Sequence, residues 1–174
     1  MKSRMLAATI MSGICAYAQA QVPPAEPMDG QTVVFVCEHG SVKSLLAALL
    51  FERAAAAEGL DVRGVSRGAM PDAAVPEWMR LALEQDGLDI GEWRPSALSG
   101  EDIRSARRVV LFDVSLPPAM PASPAAEHWD GLPSVSKDYR SGRDAIAAKV
   151  DRLVGELKRD LAAQPGRLTA SPAT

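Results

Sequence analysis

The chain has 174 residues, of which 47% are hydrophobic, 24% charged and only 5% aromatic. That is enough for one domain with a real core and too little for two of comfortable size. A net charge of −3 excludes the strongly basic face that nucleic-acid binding uses, so no nucleic-acid partner is expected.

The N-terminal stretch differs from the rest. Lys2 and Arg4 give a positive start, residues 5–17 are small and mostly apolar, and Ala18-Gln19-Ala20 fits a cleavage site. We read residues 1–20 as a signal peptide cut after Ala20, which implies a periplasmic or secreted protein. The apolar run is too short to span a bilayer, so no membrane partner is expected after cleavage. Cys15 lies inside this leader, and Ile14 before it is not the small residue that a lipid-modified cysteine wants. Its removal leaves Cys37 as the one cysteine of the mature chain. A lone cysteine in an oxidising compartment has no internal partner. It is either a buried small hydrophobe or a thiol kept for chemistry.

Residues 21–30 (QVPPAEPMDG) read as a linker, 31–163 as one domain and 164–174 as a flexible tail. Residues 32–36 (TVVFV) are a β-branched and aromatic run, expected as a buried strand. Residues 44–60 read as a helix, with Leu45, Leu46, Leu49 and Leu50 on one side and Gly59 as its stop. A second strand is expected at 62–66. A helix follows at 76–85, with Pro76 in its first turn and Gly87 past its end. Ser99-Gly100-Glu101-Asp102 resembles a capping box that opens a short helix through Ala106. Residues 108–114 (RVVLFDV) read as a third strand, and a proline-rich loop at 116–124 has the length of a functional segment. The last helix is expected at 144–161, where Ile146, Val150, Leu153, Val154, Leu157 and Leu161 recur at steps of three and four. Alternating strands and helices predict an α/β fold with a parallel sheet covered on both faces. Ligands in such sheets bind beyond the carboxyl ends of the strands, and Cys37 stands at one of those ends.

Cys37 opens the loop Cys37-Glu38-His39-Gly40-Ser41-Val42-Lys43-Ser44. A strand–loop–helix turn points successive backbone N–H groups into a concavity, and the following helix adds its positive end. A tetrahedral oxyanion such as phosphate suits that field, and so does a thiolate. Lys43 adds a charge beside the anion, and Ser44 is placed to donate a hydrogen bond to the sulfur. Glu38, His39, Gly40, Ser41 and Val42 supply the cradle. The ATP-type phosphate loop is excluded, because only its last two letters are present. The plainer alternative is a buried strand-end cysteine followed by ordinary first-turn residues. The two histidines come with no cluster of metal-ligand spacing, so neither a metal nor any other cofactor is expected.

An apolar strand followed by C-x5-K-S and an alanine/leucine helix resembles the low-molecular-weight protein tyrosine phosphatase superfamily. That superfamily includes the thioredoxin-coupled arsenate reductases, and its signature is C-x5-R-[ST]. The resemblance spans most of residues 31–163. It implies a four-stranded parallel sheet in the order 2-1-3-4 flanked by helices, a nucleophilic Cys37 and a phosphorylated substrate or oxyanion as partner. It also implies a late carboxylic acid that protonates the leaving oxygen. Asp130, after the apolar Trp129, is the first candidate; Asp138 is second and Asp113 third. The family's aspartate–proline pair is broken here, since Leu132 precedes Pro133. Lys43 stands where the family has arginine, replacing a planar fork by a point charge. Gly40 stands where the phosphatases carry asparagine, and Glu38 adds a negative charge. Arg67, after the second strand, is placed to reach the anion in the missing guanidinium's stead.

Three functions follow from this reading. The first is hydrolysis of protein-tyrosine or small aryl phosphates through a cysteinyl-phosphate intermediate. The second is arsenate reduction with an external thiol, because the further cysteines of a self-contained cycle are missing. The third is oxyanion binding without turnover.

Overall fold

The computed structural model describes residues 31–123 and 125–163. The expected leader, linker and tail lie outside them. Four parallel strands form one sheet in the order β2-β1-β3-β4: β1 Thr32–Cys37, β2 Arg63–Gly68, β3 Ala106–Leu111 and β4 Ala126–His128. The helices are α1 Lys43–Ala57, α2 Glu77–Gln85, α3 Gly100–Ser105 and α4 Tyr139–Ala162. The strand order and the all-parallel pairing are those implied by the resemblance.

The run TVVFVC reads as continuously apolar because β1 is covered on both faces. Val33, Phe35 and Cys37 face a core built with α1, α2 and α4, where Leu46, Phe51, Met79, Ile146 and Leu157 are fully buried. Val34 and Val36 face a second, smaller core with Leu98 and Ile103. Phe35 lies 5.6 Å from Phe51 and 6.0 Å from Trp129, ring centre to ring centre, so the larger core is tied together by aromatic contacts. The proline-rich loop serves the smaller core, because Leu116 and Met120 pack over it.

Several boundaries differ from the sequence reading, each for a local reason. The first helix ends at Ala57, because Leu60 N–H donates to Ala55 O at 2.9 Å and Gly59 N–H to Ala56 O at 3.1 Å, a Schellman stop. β3 ends at Leu111 rather than at residue 114, since Asp113 takes a left-handed φ of 52° that no strand tolerates. α4 begins at Tyr139, five residues before 144, because the Asp138 side chain accepts the Ser141 N–H at 3.0 Å and caps it. The expected capping box at Ser99 and Asp102 is formed. β4 (AEH) was not read from the residues themselves, being too short to show a period.

Candidate active site

The loop between β1 and α1 lies at the carboxyl edge of the sheet, and its shape follows from where its carbonyls go. Cys37 O accepts from Ala69 N–H at 3.0 Å, Glu38 O from Met70 N–H at 2.8 Å and His39 O from Asp72 N–H at 3.1 Å. Three of the loop carbonyls are thus held by the segment after β2. Gly40 makes this close approach possible. Its φ is 70°, and a Cβ there would stand 2.8 Å from Gly68 N. The Gly40 N–H donates to the Cys37 Sγ at 3.2 Å. α1 starts at Val42–Lys43 with no side-chain cap and no acidic residue in its first turn, so its N-terminal field acts on the same spot.

The sulfur is 3.0 Å from Ser44 Oγ, and Ser44 Oγ is 2.9 Å from Ser66 Oγ, which is itself 3.0 Å from Gly40 O. Ser44 and Ser66 are buried, so this hydroxyl pair is a fixed part of the sulfur's environment. A thiolate here accepts a hydrogen bond from the Ser44 hydroxyl, and the Ser66 hydroxyl donates to Ser44 or to the loop carbonyl. Ser41 is fully buried and donates to Asp72 Oδ2, which locks the loop to the turn after β2. Asp72 also lies 3.4 Å from His39 Nδ1, while His39 Nε2 lies 3.7 Å from the exposed Glu38 carboxylate.

Cys37, Glu38, His39, Val42 and Lys43 line one pocket of about 240 Å³. Its other walls are Phe112, Asp113 and Val114 after β3, and Ser134, Val135 and Ser136 before α4. Gly40, Ser41 and Ser44 belong to the loop behind it.

Two of the expected site residues lie elsewhere. Arg67 pairs in register with Val36, so it projects to the sheet face opposite Cys37. There its Nε donates to Asp102 Oδ1 at 3.0 Å, and a second guanidinium nitrogen lies 2.8 Å from the same oxygen. It does not stand in for the missing arginine. Asp130 is also outside the pocket. Trp129 turns inward and is fully buried, which sends its neighbour Asp130 outward, 59% exposed. Asp130 Oδ1 accepts the Asp113 N–H at 3.0 Å, and Asp113 Oδ1 accepts the Gly131 N–H at 2.9 Å. This reciprocal pair clamps the ends of β3 and β4 together. Asp138 is the cap of α4.

The carboxylate that does line the pocket is Asp113, the third candidate. Its Oδ2 accepts from Lys43 Nζ. The hydrogen bond from Lys43, and then that from Gly131 N–H, hold its carboxyl below the ordinary carboxylate range against a small desolvation cost. Ser66 and the 134–136 wall were missed as site residues. Ser66 was legible as a strand residue, but its approach to Ser44 needs the register Ser66–Phe35.

No protein-family model matches the chain, and no curated protein matches it in sequence. Solved structures match it in fold. A low-molecular-weight protein tyrosine phosphatase from T. tengcongensis is 20% identical with a TM-score of 0.61, covering 75% of this chain and 99% of its own. An arsenate reductase from Archaeoglobus fulgidus is 25% identical with a TM-score of 0.53, covering 71% of this chain and 98% of its own. The thioredoxin-dependent arsenate reductase of Corynebacterium glutamicum is 20% identical with a TM-score of 0.52 over 76% of this chain. Only 62% of that reductase is spanned. The fold is therefore that of the low-molecular-weight phosphatases and arsenate reductases, the superfamily which the C-x5-K-S loop resembles. At these identities the likeness carries the architecture and does not choose between the two activities.

Proposed function

We propose that the protein is a thiol-dependent hydrolase of aryl phosphate monoesters. The observation that carries the reading is the Cys37 loop. Its sulfur accepts from Gly40 N–H, lies 3.0 Å from Ser44 Oγ and shares a pocket with Lys43. Cys37 attacks phosphorus, while the loop amides and Lys43 hold the equatorial oxygens of the transition state. The leaving group departs from the side of the pocket mouth.

Glu38, His39 and Asp113 are the pocket-lining carboxylate and imidazole groups able to exchange a proton with the reacting oxygens. The Asp113 carboxylate, kept ionised by Lys43, is an acceptor on the pocket that can orient the water attacking the cysteinyl phosphate. With no protonated carboxylic acid in place, leaving groups that depart most easily as anions are favoured. That points to phenols over alkyl alcohols, and Val42, Val114 and Val135 give an aromatic ring an apolar wall. The relatives in fold named for phosphatase activity support this class of chemistry.

Arsenate reduction with an external thiol is the second reading. Cys37 is the only free cysteine among the described residues, and arsenate needs no phenolic leaving group. We propose, from the leader read in residues 1–20, that either reaction takes place outside the cytoplasm, and fractionation of expressing cells tests that.

The deciding experiment mixes the reduced protein with excess aryl phosphate. The hydrolase reading expects a burst of phenol equal to the protein and a phosphate adduct on Cys37 by intact mass, both lost in Cys37→Ser. Arsenite production dependent on added thiol, without such a burst, selects the second reading.

A further inference from the structure

Asp113 occupies its place by backbone design. Its φ of 52° is the one left-handed value among the described non-glycine residues. Its N–H is bound by Asp130, and its two carboxylate oxygens take Gly131 N–H and Lys43 Nζ. A strained residue tied at three points is a fixed group, and the fixed group here is an acceptor facing the pocket.

An oxyanion drawn to Lys43 must share the ammonium with this carboxylate. Two acceptors on one –NH₃⁺ sit roughly 4–5 Å apart at ordinary hydrogen-bond lengths. Anionic oxygens that close repel each other, unless a proton lies between them or beside them. An oxyanion that brings its own O–H donates it to Asp113 and turns the repulsion into a hydrogen bond. One that is fully deprotonated sets acceptor against acceptor.

We propose that Asp113 is a specificity-determining residue that makes the pocket select oxyanions carrying a proton, the hydrogen phosphate and hydrogen arsenate class, over sulfate. The inference rests on the reading of the pocket as an oxyanion site and names the protonation state of its ligand, which for an aryl phosphate is the monoanion. Glu38, on the same pocket, adds a like charge but is 58% exposed and lies beside His39, so it is the lesser discriminator.

The test is calorimetric titration of the reduced protein with inorganic phosphate and with sulfate at neutral pH. Phosphate should bind about 100-fold more tightly, the range in which a site built for a ligand hydroxyl rejects its absence, reduced by the exposure of Asp113. In Asp113→Asn, whose amide oxygen still accepts from Gly131, the two affinities should converge to within about threefold, mainly by a gain for sulfate. A second measurement needs no variant. The native preference for phosphate over sulfate should persist as pH rises through the second ionisation of phosphate, because the dianion still carries one O–H for Asp113. The titrating and charged groups on the pocket, Cys37, His39, Glu38 and Lys43, face both anions alike, so a preference that vanishes across this range overturns the proposal. Equal native affinities, or an Asp113→Asn variant with the native ratio, overturn the proposal while leaving the oxyanion reading intact. Binding of neither anion overturns that reading and this proposal with it.

Discussion

Two cation–aspartate pairs, one on each side of the β-sheet, show how the same charges serve different ends. Arg67 and Asp102 form a pair whose carboxylate is fully used. The guanidinium gives two nitrogens to Asp102, and Asp102 also takes the Ser99 N–H at 2.8 Å and the Ser99 hydroxyl at 2.7 Å while capping α3. Lys43 and Asp113 form an open pair. One of the ammonium's three donors goes to Asp113, and the pair lines a pocket beside a nucleophile. The first pair spends its carboxylate on Arg67 and Ser99 and lies away from the pocket; the second keeps ammonium donors on the pocket. A charged residue near a candidate site therefore says little until its valences are counted.

The comparison is broken most sharply at Lys43. Lys43→Met should lower phosphate affinity by about 10- to 100-fold, because it removes the ammonium that lines the pocket and leaves Asp113 facing the anion. Titration calorimetry reads the change. Arg67→Met should do the reverse. It should cost about 1–3 kcal/mol of stability by denaturant unfolding, since Asp102 loses a half-buried partner, and leave phosphate affinity within about twofold. A large loss of affinity in that variant would mean that the two pairs are not independent.

How these residues read in the sequence differs in an instructive way. The Cys37 loop was legible because its signal is local: an apolar strand, a glycine-bearing loop and a helix start are contiguous. Arg67 misleads in the sequence because proximity along a strand end does not give the face. Parity does, and parity depends on the pairing of Arg67 with Val36. The apolar neighbour Trp129 favours Asp130 over Asp113 in the sequence, yet burial of that tryptophan is what turns Asp130 away. Asp113 enters the pocket through a left-handed turn and a clamp to the end of β4, neither of which leaves a mark in its own sequence neighbourhood. The core helices were legible by period, whereas β4 and the cap at Asp138 depend on tertiary pairing and one side-chain hydrogen bond.

A smaller effect sharpens the comparison by pH. Burial works to raise the Asp102 carboxyl, but the hydrogen bonds from Arg67 and Ser99 outweigh it and leave the group below its ordinary 3.8. A depressed folded value stabilises above the unfolded one and is lost as pH falls through the folded one. The protein should therefore lose stability below pH ~4. Asp102→Asn should flatten that limb of the unfolding curve. Asp113→Asn should flatten it less, because Asp113 is the more exposed of the two.

We propose that the sulfur of Cys37 and a bound oxyanion occupy one pocket with Lys43. This is tested most directly by the rate at which iodoacetamide alkylates Cys37 at neutral pH, with and without saturating phosphate. Phosphate should slow alkylation several-fold in the native protein and leave the rate in Lys43→Met nearly unchanged. A native rate indifferent to phosphate would contradict the account.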